Sequence, residues 1–158
     1  MIDRFERFSV VISEISRYWH KITTAEMEKY GLKGAHSVYL TAMMRFPEGV
    51  SANQLCDVCC KDKSDVSRMM AIMEQKGLVM KEVVHQNLYK GVFKLTDEGR
   101  AAAEFVQRRA ELAVAIAGKD LTDETRSALY SALEAISANL RDISENGLPG
   151  HETDGEDE

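Results

Sequence analysis

Residues 63–73 combine side chains suited to surface chemistry with others suited to a core. At about 100° per residue of an α-helix, Ser64, Ser67, Arg68 and Ala71 fall on one side, and Val66, Met69, Met70 and Met73 gather on the other. Short side chains let a helix approach a groove closely, and an arginine among them can bond a guanine edge or a phosphate oxygen. Lys61 and Lys63 lie beside that face and add positive charge. A second constellation is Cys56, Cys59 and Cys60, three thiols on one short segment. Thiolates bind metals and oxidise, but with no histidine nearby the metal set is incomplete. Buried structural thiols are the simpler reading, with Cys60, at a turn, as the candidate redox residue. Trp19, His20, His36 and Tyr39 form a third set, able to line a small-molecule pocket. Against that stands a plainer reading, in which Trp19 belongs to a helix seam and His36 is a satisfied helix residue.

The neighbouring sequence predicts the elements that position these groups. Asp62 is placed to cap a helix over residues 63–76, with Gly77 closing it. Residues 78–84 and 92–95 are rich in β-formers around a polar stretch and predict a two-stranded hairpin. Upstream, Ser51 and Gln54 form a capping box that opens a short helix to about residue 59. Residues 34–46 predict another helix, stopped by Pro47. Phe5, Phe8, Ile12, Ile15, Trp19 and Ile22 alternate spacings of three and four, a heptad seam on a long helix over residues 3–30. Thr96, followed by Asp97 and Glu98, starts a helix to about residue 117. Thr122 caps a last helix whose Leu129, Leu133, Ile136, Leu140 and Ile143 make a second seam. A single small lobe cannot cover two such seams, so a second copy of the chain is the expected partner.

The stretch DKSDVSRMMAIMEQKGLV, then a hairpin, then LTDEG, resembles the recognition helix, wing and Leu-Thr-x-x-Gly junction of the MarR family of winged helix-turn-helix transcription regulators. The resemblance extends upstream through GLKGAHSVYLTAMMRFPEGVSANQLCDVC and covers roughly residues 30–100. It implies DNA contacts from Lys61, Lys63, Ser64, Ser67 and Arg68. Family wings often carry an arginine near the tip, where this chain has HQNLYKG, so Tyr89 and Lys90 are the nearest substitutes. Lysine is the poorer partner for a narrow minor groove, and a wing that touches only phosphate fits equally well. The resemblance also implies a small aromatic effector bound between the terminal helices and the DNA-binding lobe, where Trp19, His20, His36 and Tyr39 are candidate contacts.

Composition bounds these readings. The chain has 158 residues, 44% of them hydrophobic, enough for one substantial core. No apolar run or leader calls for a membrane or export, so a cytoplasmic location is expected. The net charge is −6, yet five carboxylates fall in the last eight residues, leaving −1 for the rest. Between Lys61 and Lys94, seven cations face four anions, and that local excess is what a DNA backbone would meet. No Ser/His/Asp set, phosphate-binding glycine loop, pocket signature of paired carboxylates or complete metal motif is present, so no enzyme activity, cofactor or metal is expected.

The expected architecture is mostly α with a small β-hairpin wing, a winged helix-turn-helix with long N- and C-terminal dimerisation helices. Residues 1–30 and 97–146 would form the dimerisation region, 31–96 the DNA-binding lobe and 147–158 a disordered acidic tail. The expected function is a homodimeric repressor that binds a near-palindromic operator in double-stranded DNA and is released by an effector. Two alternatives stand beside it: a winged-helix docking module for proteins without DNA binding, and a thiol-based redox-sensing regulator.

Overall fold

The computed structural model describes residues 3–83 and 91–148, apart from the Phe5 side chain. Tyr89, Lys90 and all but the first two residues of the expected tail lie outside that description. Helices α1 (Arg4–Met27), α2 (His36–Met43), α3 (Ala52–Cys59) and α4 (Lys63–Gln75) lead into strands β1 (Val79–Val83) and β2 (Gly91–Leu95), then α5 (Asp97–Ala117) and α6 (Asp123–Asn146). The architecture is the mostly helical winged helix-turn-helix that the sequence predicts. The chain divides into two compact units at Ala113 and Val114, with α5 running from one into the other.

The first unit contains the core. Met27 from α1, Tyr39, Leu40 and Met43 from α2, Leu55 from α3 and Val66, Met70 and Met73 from α4 are buried together. Val79, Phe93, Ala102 and Val106 close it from the hairpin and α5. β1 and β2 pair antiparallel, with Val79 opposite Leu95 and Lys81 opposite Phe93. Val50 adds one further rung, exchanging backbone bonds of 2.9 and 2.8 Å with Phe93. That rung ties the loop before α3 to the wing, and a single bridged residue leaves no periodic trace in sequence.

The helix ends follow their caps. The Ser51 hydroxyl accepts the Gln54 N–H at 3.2 Å while Gln54 Oε1 accepts the Ser51 N–H at 2.9 Å, the reciprocal bonds of a capping box. Thr122 Oγ1 accepts the Thr125 N–H at 3.2 Å. Two helices are shorter than predicted. α1 ends at Met27, and residues Glu28–Tyr30 tighten into a 3₁₀ turn. α2 starts at His36 because the Lys33 and Gly34 carbonyls are engaged in turn bonds, and it ends at Met43 because the next bonds, Arg45 to Ala42 and Phe46 to Met43, span three residues rather than four.

In the second unit, Arg126 Nη2 donates to the Gly118 carbonyl at 3.1 Å and so steadies the turn before α6. α6 itself buries no residue. Among the described residues, no helix is long and apolar enough to cross a membrane.

Candidate nucleic-acid interface

α4 is fixed at both ends. Asp62 Oδ1 accepts the Asp65 N–H at 2.7 Å, and Gly77, at φ +72°, supplies the left-handed residue that lets the chain turn into β1. Its apolar stripe of Val66, Met70 and Met73 is buried, while Lys63, Ser64, Ser67, Arg68 and Ala71 are all exposed. Lys61 is exposed in the turn before it. The structure therefore gathers five of the seven sequence-predicted contacts on one surface; Tyr89 and Lys90 are the two that lie outside the described residues.

The Arg68 guanidinium is not loose on that surface. Its Nη2 donates to Asp65 Oδ1 at 2.7 Å, and Asp65 Oδ2 accepts the Tyr39 hydroxyl at 2.7 Å. The bonds from Tyr39 and Arg68 hold the Asp65 carboxyl below its ordinary pKa. Burial, followed by the bond to Asp65, pushes the Tyr39 phenol above its usual value. Sequence reading placed Tyr39 among candidate pocket residues; in the fold it is fully buried in the lobe core.

The cysteines occupy three environments. Cys59 is buried in the core, Cys56 is half-buried and Cys60 is exposed. Burial raises the Cys59 pKa, which keeps it a thiol. Cys60 adopts φ +51°, the one non-glycine residue among those described with a positive φ. Its position reverses the chain between α3 and α4, with the Lys61 N–H on the Cys56 carbonyl at 3.0 Å. No cluster among the described residues could hold a metal ion.

A cavity of about 160 Å³ lies within the first unit, between α1, α2 and α5. Its walls are Trp19, Ile22, Val38 and Val106, and its polar rim includes Thr23, Ser37, Thr41, Glu26 and Arg109. Arg109 Nε donates to Glu26 Oε1 at 2.8 Å. Of the four residues proposed from sequence for a pocket, only Trp19 lines it. His20 is exposed, and His36 and Tyr39 are buried on the side of α2 away from Val38. The signal that marks the wall on α1 is the helical run Trp19, Ile22, Thr23 and Glu26.

His36 Nδ1 lies 3.1 Å from the Lys33 nitrogen and 3.0 Å from the Lys33 carbonyl oxygen, so it accepts the one N–H or donates to the other according to its tautomer, and Nε2 is a buried atom with no partner among the described residues. Burial, which together with the Lys33 charge outweighs the raising effects of the contact with the Lys33 carbonyl and of the Asp65 charge, holds its pKa below the ordinary 6.5. The unfolded ring therefore binds a proton before the folded one does, and folding stability must fall as pH drops below 6.5. Asp65 loses its contribution only near and below its ordinary 3.8. Chemical denaturation between about pH 7.5 and 5 should show this loss in the wild type and a flatter profile in His36→Gln. Equal slopes would assign the acid sensitivity elsewhere.

The fold is thus a winged helix-turn-helix lobe carried by long terminal helices. No family profile and no curated protein matches the chain, but solved structures do. A MarR family transcriptional regulator from Listeria monocytogenes, complexed with 26mer DNA, superposes with a TM-score of 0.77 at 21% identity, covering 96% of this chain and 100% of that one. A MarR transcriptional regulator from Methanosarcina mazei Go1 gives 0.76 at 21% identity, with 87% and 99% covered. CouR from Rhodococcus jostii RHA1, bound to p-coumaroyl-CoA, gives 0.69 at 18% identity, with 82% and 90% covered. The chain shares the MarR-like winged-helix fold with all three.

Proposed function

We propose that this protein is a sequence-specific DNA-binding transcription regulator, a two-fold dimer that represses and is released by a small aromatic effector. One observation carries the reading: between Lys63 and Ala71 the exposed face of α4 presents the short side chains of Ser64, Ser67 and Ala71 beside Lys63 and the braced Arg68, while its other face is locked into the core. Such a helix fits a major groove, where arginine recognises guanine. The Listeria neighbour, whose structure contains DNA, supports the same use of the fold. On this reading residues 1–30 and 97–146 dimerise, 31–96 bind DNA, and the two recognition helices meet half-sites about 10 bp apart on one face of the duplex.

The test is a salt-titrated binding assay on a selected operator. Arg68→Ala should cost about 1–3 kcal/mol per half-site and relax the preference at one base pair. Lys61→Ala should weaken all sequences evenly and flatten the salt dependence of log K by roughly one per lost phosphate contact. If neither variant changes affinity or slope, this face is not a DNA surface, and the docking-module reading replaces it.

Effector release is read from the cavity. A volume of 160 Å³ is the size of a single ring, and an aromatic acid could place its ring between Trp19 and Val106 with its carboxylate replacing Glu26 on Arg109. Benzoate as a probe should lower operator affinity in the wild type and leave Arg109→Ala unaffected. An equal response in both would remove Arg109 from the site.

A further inference from the structure

α4 carries a feature that DNA binding alone does not call for: a carboxylate on the helix that would approach phosphates. Asp65 repels a DNA backbone, yet it sits beside the residue expected to read bases. An ordinary i,i+3 ion pair on a helix surface is exposed on both sides and contributes little. Arg17 and Glu14 in α1 are such a pair, with side chains 67% and 53% exposed and a separation of 3.7 Å. The Arg68–Asp65 pair differs in kind. Its separation is 2.7 Å, and the Asp65 side chain is only 19% exposed.

The difference comes from Tyr39. It belongs to another helix, α2, and its ring is fully buried, so its hydroxyl has a fixed position. That hydroxyl occupies Asp65 Oδ2 at 2.7 Å and leaves Oδ1 directed at Arg68. Both lengths lie in the range of charge-assisted bonds. The guanidinium spends one N–H on Asp65 and has four left for a base or phosphate. A long flexible arginine is thereby held in one orientation before any ligand arrives.

We propose that Asp65 is a positioning residue for sequence discrimination: anchored by the buried Tyr39, it presents Arg68 to a base edge and, by its own charge, weakens indiscriminate binding to phosphate. The inference rests on the DNA-binding reading above. Specificity is a difference between two affinities, and Asp65 acts on both, ordering the specific contact and opposing the non-specific one. Tyr39 acts on the first alone, because it is neutral and lies inside the lobe.

The experiment compares fluorescence anisotropy titrations of the selected operator and a scrambled duplex of equal length, with melting curves as a check of folding. Asp65→Asn should bind the scrambled duplex more tightly than wild type and reduce the operator-to-scrambled ratio about tenfold. Tyr39→Phe, which keeps every charge, should leave scrambled binding unchanged and reduce the ratio about threefold. The loss should be confined to the base pair at which Arg68→Ala relaxes preference, which a merely structural loosening would not do. In the Arg68→Ala background, Tyr39→Phe should change nothing further. If Tyr39→Phe weakens operator binding equally with and without Arg68, the phenol only braces the lobe and the proposal is overturned. Should Tyr39→Phe fail to fold, Asp65→Asn in the two backgrounds decides by the same criterion. Wild type that binds neither duplex defeats the DNA-binding reading and the proposal with it; wild type that binds while the variants act additively defeats the proposal alone.

Discussion

Leu133→Glu combined with Ile136→Glu should turn the protein into a folded monomer whose operator affinity falls about 10²–10⁴-fold, the gain that pairing two sites normally brings. The reason is on the surface of the terminal helices, each taken by itself. On α6, Leu129, Leu133, Ile136 and Leu140 are 37–50% exposed, and on α1, Phe8, Ile12, Ile15, Trp19 and Ile22 are 40–60% exposed. These are the seams read from sequence, and each side chain gains about 1.5–3 kcal/mol when fully buried. Apolar stripes of this length on soluble chains mark protein interfaces, and a second copy offers the same heptad spacing in return. Two glutamates per subunit would have to be buried without partners in such an interface, which is far more costly than the lost methylenes. Because α6 buries nothing within the chain, the variant should keep its melting behaviour in the lobe. Sedimentation equilibrium at micromolar concentration, paired with an operator titration, decides it. A wild type that is already a stable monomer, or a double variant that remains a dimer, would sink the two-fold operator model.

What was legible in the sequence is what depends on neighbours in the chain. Ser51 with Gln54, Asp62 with Asp65 and Thr122 with Thr125 cap their helices as their spacing predicts, since a cap is a contact three residues long. The two faces of α4 also follow from a local period. What stayed hidden depends on contacts between distant segments. The Val50–Phe93 rung, the Tyr39–Asp65 bond across 26 positions and the Glu26–Arg109 bridge across 83 leave no pattern at any helical or strand spacing. α2 shows how small a shift matters: one residue turns a helix by about 100°, so Val38 faces the cavity while Tyr39, its neighbour, is buried in the core. Side-chain type made Tyr39 a plausible ligand contact, and packing made it a buried hydrogen-bond partner of Asp65 on α4.

The second large effect expected is a loss of stability in Gly99→Ala. Gly99 lies buried in the first turn of α5, where an added Cβ would come within 1.8 Å of the Leu78 carbonyl oxygen and 2.8 Å of its carbon. Both are backbone atoms, so no side chain can rotate away. The place is tied on every side: the Thr96 N–H bonds the same Leu78 oxygen at 3.1 Å, and Thr96 Oγ1 donates to the Gly77 carbonyl at 2.7 Å while accepting the Gly99 N–H at 3.0 Å. These bonds join the end of α4 to the start of α5, and a methyl group forces the two apart by more than an ångström. We expect a cost of about 3 kcal/mol, at the upper end for overpacking, and a melting temperature lower by roughly 6–12 °C. Thr96→Ala, which removes the cap without adding bulk, should cost about 1–2 kcal/mol. In the double variant the losses should fall short of additive, because the displaced turn has already given up the bonds Thr96 makes. Thermal denaturation of the three variants measures all of this, and a Gly99→Ala protein that melts with the wild type would show that α5 does not approach α4 as closely as this junction requires.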